Sequence, residues 1–199
     1  MSKDIQRNFV FKNVMAYRIG PNWNATVPEI EAALSANRFT ECTPGQDKSV
    51  GWTEPRNVAN GPLLESIGGQ WIAKLLIETK AVPSSVVKRK AELQAQEIEA
   101  QTGRKPGKKE TREMREDILH SLLPQAFAKQ GAVMVWINAK DRLLAIDAGS
   151  TGKADEVITQ LVRALPGLDL NLLQTATSPQ TGMAAWLLAT DPDEVPRSL

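Results

Sequence analysis

The segment Gly149-Ser-Thr-Gly-Lys153 contains residue types that bind phosphate, and it lies between a predicted strand and a predicted helix. A P-loop has the pattern Gly-x-x-x-x-Gly-Lys-Ser/Thr, whose longer spacing lets the backbone surround a phosphate. Here only Ser150 and Thr151 separate the glycines, and Ala154 follows the lysine. We therefore interpret the segment as a strand-to-helix turn with Ser or Thr as the N-cap.

The single histidine and the single cysteine do not form a catalytic pattern. His120 is adjacent to Ser121 and one helical turn after Asp117, but adjacent helical residues do not face each other, so no triad follows. His120 is interpreted as a packing residue or a cation at a helix end. Cys42 is interpreted as a spectator thiol, and a lone cysteine fits a reducing cytoplasm. We predict no enzymatic activity, no metal site and no cofactor.

Basic residues are concentrated in one part of the chain. The 24 Lys and Arg nearly balance the 23 Asp and Glu, so the chain is not globally basic. Residues 80–116, however, contain ten Lys and Arg against six Glu, and the remainder is mildly acidic. This pattern indicates either a solvated pair of helices with a chance excess of Lys or a surface that contacts phosphates.

The predicted phosphate-contacting residues form two clusters, one in the first helix of this region and one around the Pro106-Gly107 turn. Lys108, Arg112 and Arg115 recur at helical spacing and form one stripe. No aromatic residue lies between Trp71 and Phe127, which disfavours base stacking and favours backbone contacts with little sequence preference. If this surface binds nucleic acid, the predicted DNA-binding residues are Lys88, Arg89, Lys90, Arg104, Lys105, Lys108, Lys109, Arg112 and Arg115.

The elements that must position these residues predict an α+β fold. Strands grouped in hairpins and interspersed with helices favour a largely antiparallel sheet with packed helices and a projecting basic helical hairpin. No apolar stretch approaches the length of a membrane span. The predicted parts are an N-terminal α+β part (1–80), the basic helical hairpin or tip (81–128), a second α+β part (129–190) and an unstructured tail (191–199).

Local patterns predict the individual elements. Gly68-Gly69 between two apolar runs predicts a hairpin, and Thr26 with Glu29 predicts a helix start. In the helix predicted over 152–165, Ala154, Val157, Ile158, Leu161 and Val162 are expected to face inward. The strands are predicted at 9–19, 50–53, 63–67, 71–79, 131–137, 142–147 and 168–173, and the other helices at 26–36, 84–101, 108–123 and 183–188.

Several strings resemble the recombination-associated RdgC family. They occur in order from about residue 9 to residue 188, and Leu119-His-Ser-Leu-Leu-Pro-Gln-Ala-Phe127 is the most specific. The other strings are Phe11–Arg18, Lys80–Lys88, Gly103–Glu110, Val133–Asn138, Leu143–Asp147 and Lys153–Glu156.

The resemblance implies a bacterial, non-enzymatic DNA-binding protein of the cytoplasm that associates with the nucleoid. It implies a closed homodimeric ring that binds duplex DNA with little sequence preference and restrains RecA-promoted strand exchange. Phe127 matches an aromatic near the contact between protomers, so the resemblance assigns it to the dimer interface. The alternative is a core phenylalanine under the sheet.

Members of the family usually continue well beyond the position that matches Trp186, whereas this chain stops at Leu199. We expect that ring closure is affected, whether the chain is a short natural relative or a fragment. The leading hypothesis is a sequence-tolerant duplex-DNA binder that modulates recombination. The alternative is a protein-interaction or dimerisation module that has lost stable DNA binding.

Overall fold

The computed structural model describes residues 11–174 and 177–188, and its strands form one antiparallel sheet. The strand order is β2-β4-β5-β6-β1-β7, with β3 also paired to β4. The strands are β1 (Val14–Ile19), β2 (Lys48–Thr53), β3 (Leu64–Ile67), β4 (Gln70–Lys80), β5 (Ala128–Asn138), β6 (Leu143–Asp147) and β7 (Leu170–Leu172). The predicted α+β class with an antiparallel sheet is confirmed.

Five α-helices accompany the sheet in the described residues. They are α1 (Val27–Ala36), α2 (Ser84–Thr102), α3 (Lys108–Leu122), α4 (Thr151–Ala164) and α5 (Pro179–Leu188). A short 3₁₀ turn, Leu123–Gln125, follows α3. The bounds of α1 to α4 lie within one residue of those predicted, whereas α5 begins four residues earlier than predicted. The tail predicted at 191–199 lies outside the described residues. No helix within 11–174 or 177–188 is long and apolar enough to cross a membrane.

The β3–β4 hairpin forms as predicted because both turn residues are glycines. Gly68 and Gly69 have φ angles of 58° and 82°. A two-residue turn with positive φ at both positions matches the twist of paired strands, and glycine adopts it without steric cost. Ile67 therefore pairs with Gln70, and the pairing continues to Leu64 with Ala73.

The longest pairing in the sheet joins the predicted N-terminal part to the predicted second part. β4 pairs with β5 from Trp71 opposite Ile137 to Lys80 opposite Ala128. β5 therefore begins three residues before the predicted strand, although its first residues are polar or small and exposed. Backbone hydrogen bonds to β4 hold this segment, so the apolar pattern alone underestimated the length of the strand.

Helices α1 and α4 contribute apolar side chains to the main core. Ile30 and Leu34 of α1 and Val157 and Leu161 of α4 are fully or almost fully buried with the sheet residues. The predicted inward position of Val162 is wrong, because its side chain is 46% exposed. The helix buries Ala154, Val157, Leu161 and Ala164, a single stripe at spacings of three and four that excludes position 162.

Close packing at Gly51 gives a stability prediction. A Cβ at Gly51 would overlap the backbone of Phe39 and lie 2.8 Å from the carbonyl carbon of Arg38, because this segment runs alongside β2 in a parallel bridge between Arg38 and Trp52. We expect Gly51→Ala to lower the free energy of unfolding by roughly 1–3 kcal/mol, since the backbone must move. Gly131 in β5 is the matched control, because a Cβ there meets nothing within 4 Å.

Urea denaturation of the two variants tests this prediction. Gly131→Ala should unfold close to the unmodified chain, and Gly51→Ala should unfold at lower urea. Equal stability of the two variants would contradict the close approach of the Phe39 backbone.

Candidate nucleic-acid interface

Helices α2 and α3 pack against each other through a small apolar cluster; we call residues 84–122 the basic helix pair. Ala91, Met114 and Ile118 form the buried centre of this cluster. Val87, Ile98 and Leu122 pack around it. Most other side chains of the pair are exposed, so its surface is set by charge. The projection of the pair from the sheet stays a prediction.

The turn between α2 and α3 has defined ends. Gly103 follows α2 with φ 72°, a left-handed conformation that glycine favours at helix C-termini. At the start of α3, the Gly107 N–H donates to a carboxylate oxygen of Glu110 at 2.7 Å. The Arg104 guanidinium donates two hydrogen bonds to the same carboxylate, at 2.7 and 3.0 Å. Arg104 is thereby held beside the first turn of α3.

These contacts change the acidity of both side chains. The hydrogen bonds from Arg104, and after them that from Gly107, lower the pKa of Glu110 to about 2. The hydrogen bond to Glu110 raises the pKa of Arg104. Ionised Glu110 therefore favours the folded turn.

Four further ion pairs lie on the exposed surface of the basic helix pair. Such pairs are weak and are screened by salt, so their cations can exchange a carboxylate for another anion. The pairs are Lys88–Glu92 (3.8 Å), Lys105–Glu99 (3.9 Å), Lys109–Glu113 (3.8 Å) and Arg112–Glu116 (3.0 Å). Within the described residues, Arg89, Lys90, Lys108 and Arg115 make no ion pair.

A groove of about 1030 Å³ lies along the basic helix pair, and we call it the basic groove. Four of the nine predicted residues line it: Lys88, Lys108, Arg112 and Arg115. The single carboxylate among the lining residues is Glu116. The predicted stripe on α3 thus faces one concavity, opposite the start of α2. The remaining five, Arg89, Lys90, Arg104, Lys105 and Lys109, do not line the groove. The other lining residues are Val82, Ser84, Ser85, Val87, Pro106, Thr111 and Leu119.

Phe127 lies between the 3₁₀ turn and β5. Its side chain is 93% exposed, so it is not a core residue under the sheet. A fully exposed phenylalanine is unfavourable in water unless a partner covers it.

The other candidate residues do not assemble a reactive site. His120 is exposed in the last turn of α3, and the hydroxyl of Ser121 donates to the carbonyl of Ile118 at 2.8 Å. Burial, followed by the nearby Glu78, raises the pKa of the Cys42 thiol. Among residues 11–174 and 177–188, no group of three or more His, Cys, Asp or Glu side chains could hold a metal ion.

The sequence patterns missed a second basic concavity. Lys48, Lys129 and Lys153 are far apart in the chain, but all three line a cavity at the sheet. Only the strand register, which places both Lys48 and Lys129 opposite Thr79, could have indicated that two of them are close.

The ion pair at the turn gives a pH prediction. Glu110 is more acidic in the folded chain than its ordinary value of 4.5, so its contribution to stability is present above that pH and is lost as the pH falls towards 2. NMR titration of the Glu110 carboxyl should report the low pKa. Arg104→Gln should raise this pKa, whereas Lys105→Gln, which removes a neighbouring charge without a bond to Glu110, should change it little. An unshifted pKa in the unmodified chain would contradict the turn geometry.

Comparison with known proteins identifies relatives of the whole described chain. A family model described as "Putative exonuclease, RdgC" matches residues 9–196. The chain is 39% identical over 181 residues to the "Recombination-associated protein RdgC" of Dechloromonas aromatica (strain RCB), which covers 91% of this chain and 59% of that protein. It is 38% identical over 186 residues to the protein of the same name from Herminiimonas arsenicoxydans, covering 94% of this chain and 60% of the relative.

The chain therefore spans about three fifths of the length of the curated relatives it matches. The match confirms the resemblance predicted from the sequence strings, since it runs from the first strand to beyond α5. Identity near 38% over 90% of the chain is also seen with the "Recombination-associated protein RdgC" of Janthinobacterium sp. (strain Marseille). The chain belongs to the RdgC family of recombination-associated proteins.

Proposed function

We propose that this protein binds duplex DNA through the basic helix pair, with little sequence preference, and restrains RecA-dependent strand exchange without hydrolysing the DNA. The observation that carries the proposal is the basic groove, in which four cations face one carboxylate. A protein that covers duplex phosphates competes with strand exchange for the same backbone. Binding of this kind would keep the protein on the nucleoid, in the cytoplasm.

The charge balance of the groove supports phosphate contacts. Lys108 and Arg115 line the groove without an ion pair among the described residues, so they can bind phosphates without first losing a carboxylate. Lys88 and Arg112 contact Glu92 and Glu116 on the exposed surface, where replacing a carboxylate by a phosphate costs little free energy. Neutralised phosphates release counterions, which drives sequence-independent binding.

The composition of the basic helix pair supports low sequence specificity. Residues 84–122 contain no Phe, Tyr or Trp side chain that could stack on a base. Arginine and lysine contacts to phosphates fix position on a duplex but carry no sequence information.

We further propose that two copies of the chain associate through Phe127. It is 93% exposed and lies two residues after the 3₁₀ turn at the end of α3. Aromatic side chains are typical anchors of protein interfaces, because they bury a large area at a small loss of conformational entropy. A chain that self-associates but binds no duplex would instead support the alternative of a protein-interaction module.

The first test of the proposal measures duplex affinity against salt. We expect log Kd to rise with log salt by about 0.9 for each phosphate contact, equally for unrelated duplexes. Lys108→Gln with Arg115→Gln should weaken binding on the order of ten-fold and reduce this slope by roughly 1.8, the loss of two contacts. The matched control is Lys140→Gln with Arg163→Gln, which removes the same charge at exposed positions outside the groove.

Equal losses in both variants would contradict binding in the basic groove. The same samples, incubated with Mg²⁺ or Mn²⁺, also test the exonuclease in the family description. Our proposal expects the duplex to remain full length. If the unmodified protein shortens the duplex from its ends, the proposal is contradicted.

The second test concerns self-association. Phe127→Ala should weaken the dimer at least ten-fold in analytical ultracentrifugation and leave the circular dichroism spectrum and the cooperativity of unfolding unchanged, because the ring contributes little to the core. Val58→Ala is the control, since Val58 is 54% exposed in a loop. An unmodified chain that is monomeric at every concentration, or a dimer that Phe127→Ala leaves intact, would refute the assignment.

A further inference from the structure

A second basic concavity lies where the sheet meets α4, and we call it the sheet cleft. Its volume is about 430 Å³. β2, β4 and β5 form one side, and the first residues of α4 form the other. The lining residues are Lys48, Ile77, Thr79, Lys129, Gln130, Gly131, Ala132, Val133, Gly152, Lys153 and Glu156.

Strand register brings two of its lysines to the same face. Lys48 and Lys129 both lie opposite Thr79 on neighbouring strands, and directly opposed residues point to the same side of a sheet. Lys153 faces them from α4. Lys48 pairs with Glu156, which leaves Lys129 and Lys153 without an ion pair in the described part of the chain. The cleft therefore has a net positive charge and two cations that are free to bind an anion.

The cleft is open because two glycines line it. A Cβ at Gly131 or Gly152 would meet nothing within 4 Å, so side chains there would extend into empty space. The apolar residues Ile77 and Val133 also line the cleft, and its one lining carboxylate, Glu156, is paired with Lys48. A phosphate can therefore approach both free lysines.

The sheet cleft is next to the basic groove. Thr79 lines the cleft and Val82 lines the groove, so their Cα atoms are at most about 10 Å apart along the chain. On the return path, Lys129 lies a few residues after the 3₁₀ turn that ends α3. The lining residues of the two concavities thus come close to each other along the chain where β4 and β5 join the basic helix pair.

We propose, building on the proposed function, that the sheet cleft binds backbone phosphates of the same duplex that the basic groove holds. Lys129 and Lys153 bind the phosphate, and Lys48 adds positive charge while it stays paired with Glu156. The bound duplex then extends from the basic helix pair onto the sheet. The expected contacts are non-specific, because lysine contacts to phosphates carry no sequence information.

Two variants test the cleft by different means. Lys129→Gln with Lys153→Gln removes its free charges, and Gly131→Leu fills the cleft without changing any charge. Binding of a fluorescein-labelled duplex is measured against salt, with Lys140→Gln and Arg163→Gln as the charge-matched control. We expect the double lysine variant to weaken binding on the order of ten-fold and to reduce the salt slope by roughly 1.8. Gly131→Leu should also weaken binding, with an unchanged melting temperature.

The outcomes separate this inference from the proposed function. Loss of affinity in the cleft variants and in Lys108→Gln with Arg115→Gln supports both. If only the variant of the basic groove loses duplex affinity, the inference about the sheet cleft is overturned and the proposed function is kept. An unmodified chain that binds no duplex overturns both. If Gly131→Leu melts at a lower temperature, Gly131→Gln fills the same space with a polar side chain, and normal affinity in that variant overturns the inference.

Discussion

The antiparallel pairing of β4 with β5 is the constraint on which the rest of the structure depends. It begins at Lys80 opposite Ala128, so the chain leaves the sheet and returns to it at neighbouring positions. The 81–127 segment between must therefore reverse direction, and α2 and α3 do so through the turn at 103–107. The pairing also places Thr79 opposite Lys129 in the sheet cleft, three residues before Val82 of the basic groove.

The two basic concavities differ in how their charge is held. Cations of the basic groove come from two helices with a small apolar cluster, so charge and not burial determines the surface of the basic helix pair. Cations of the sheet cleft stand on strands and a helix that belong to or border the main core. A cleft at the sheet beside an exposed groove suits a long, uniformly charged ligand, because phosphates repeat along a duplex and need no single deep pocket.

Local signals predicted the local structure well. Gly68-Gly69 fixed the β3–β4 turn, and the spacing of Lys108, Arg112 and Arg115 correctly indicated a shared face on α3. Non-local features were out of reach, because pairing partners leave no mark on a single sequence. The position of β1 between β6 and β7 depends on residues more than a hundred positions apart, and so does the approach of Lys153 to Lys48. Val162 was misjudged because an apolar residue at the edge of a stripe can face solvent.

Amide chemical-shift mapping with a short duplex of arbitrary sequence tests the central claim most directly. Our proposal predicts that shifts concentrate on the groove-lining parts of α2 and α3 and continue through Thr79 and Lys129 into the first turn of α4. It predicts no comparable change on β7, at the far edge of the sheet. Shifts confined to β7 or α5, or a spectrum that the duplex leaves unchanged, would contradict binding by the basic helix pair.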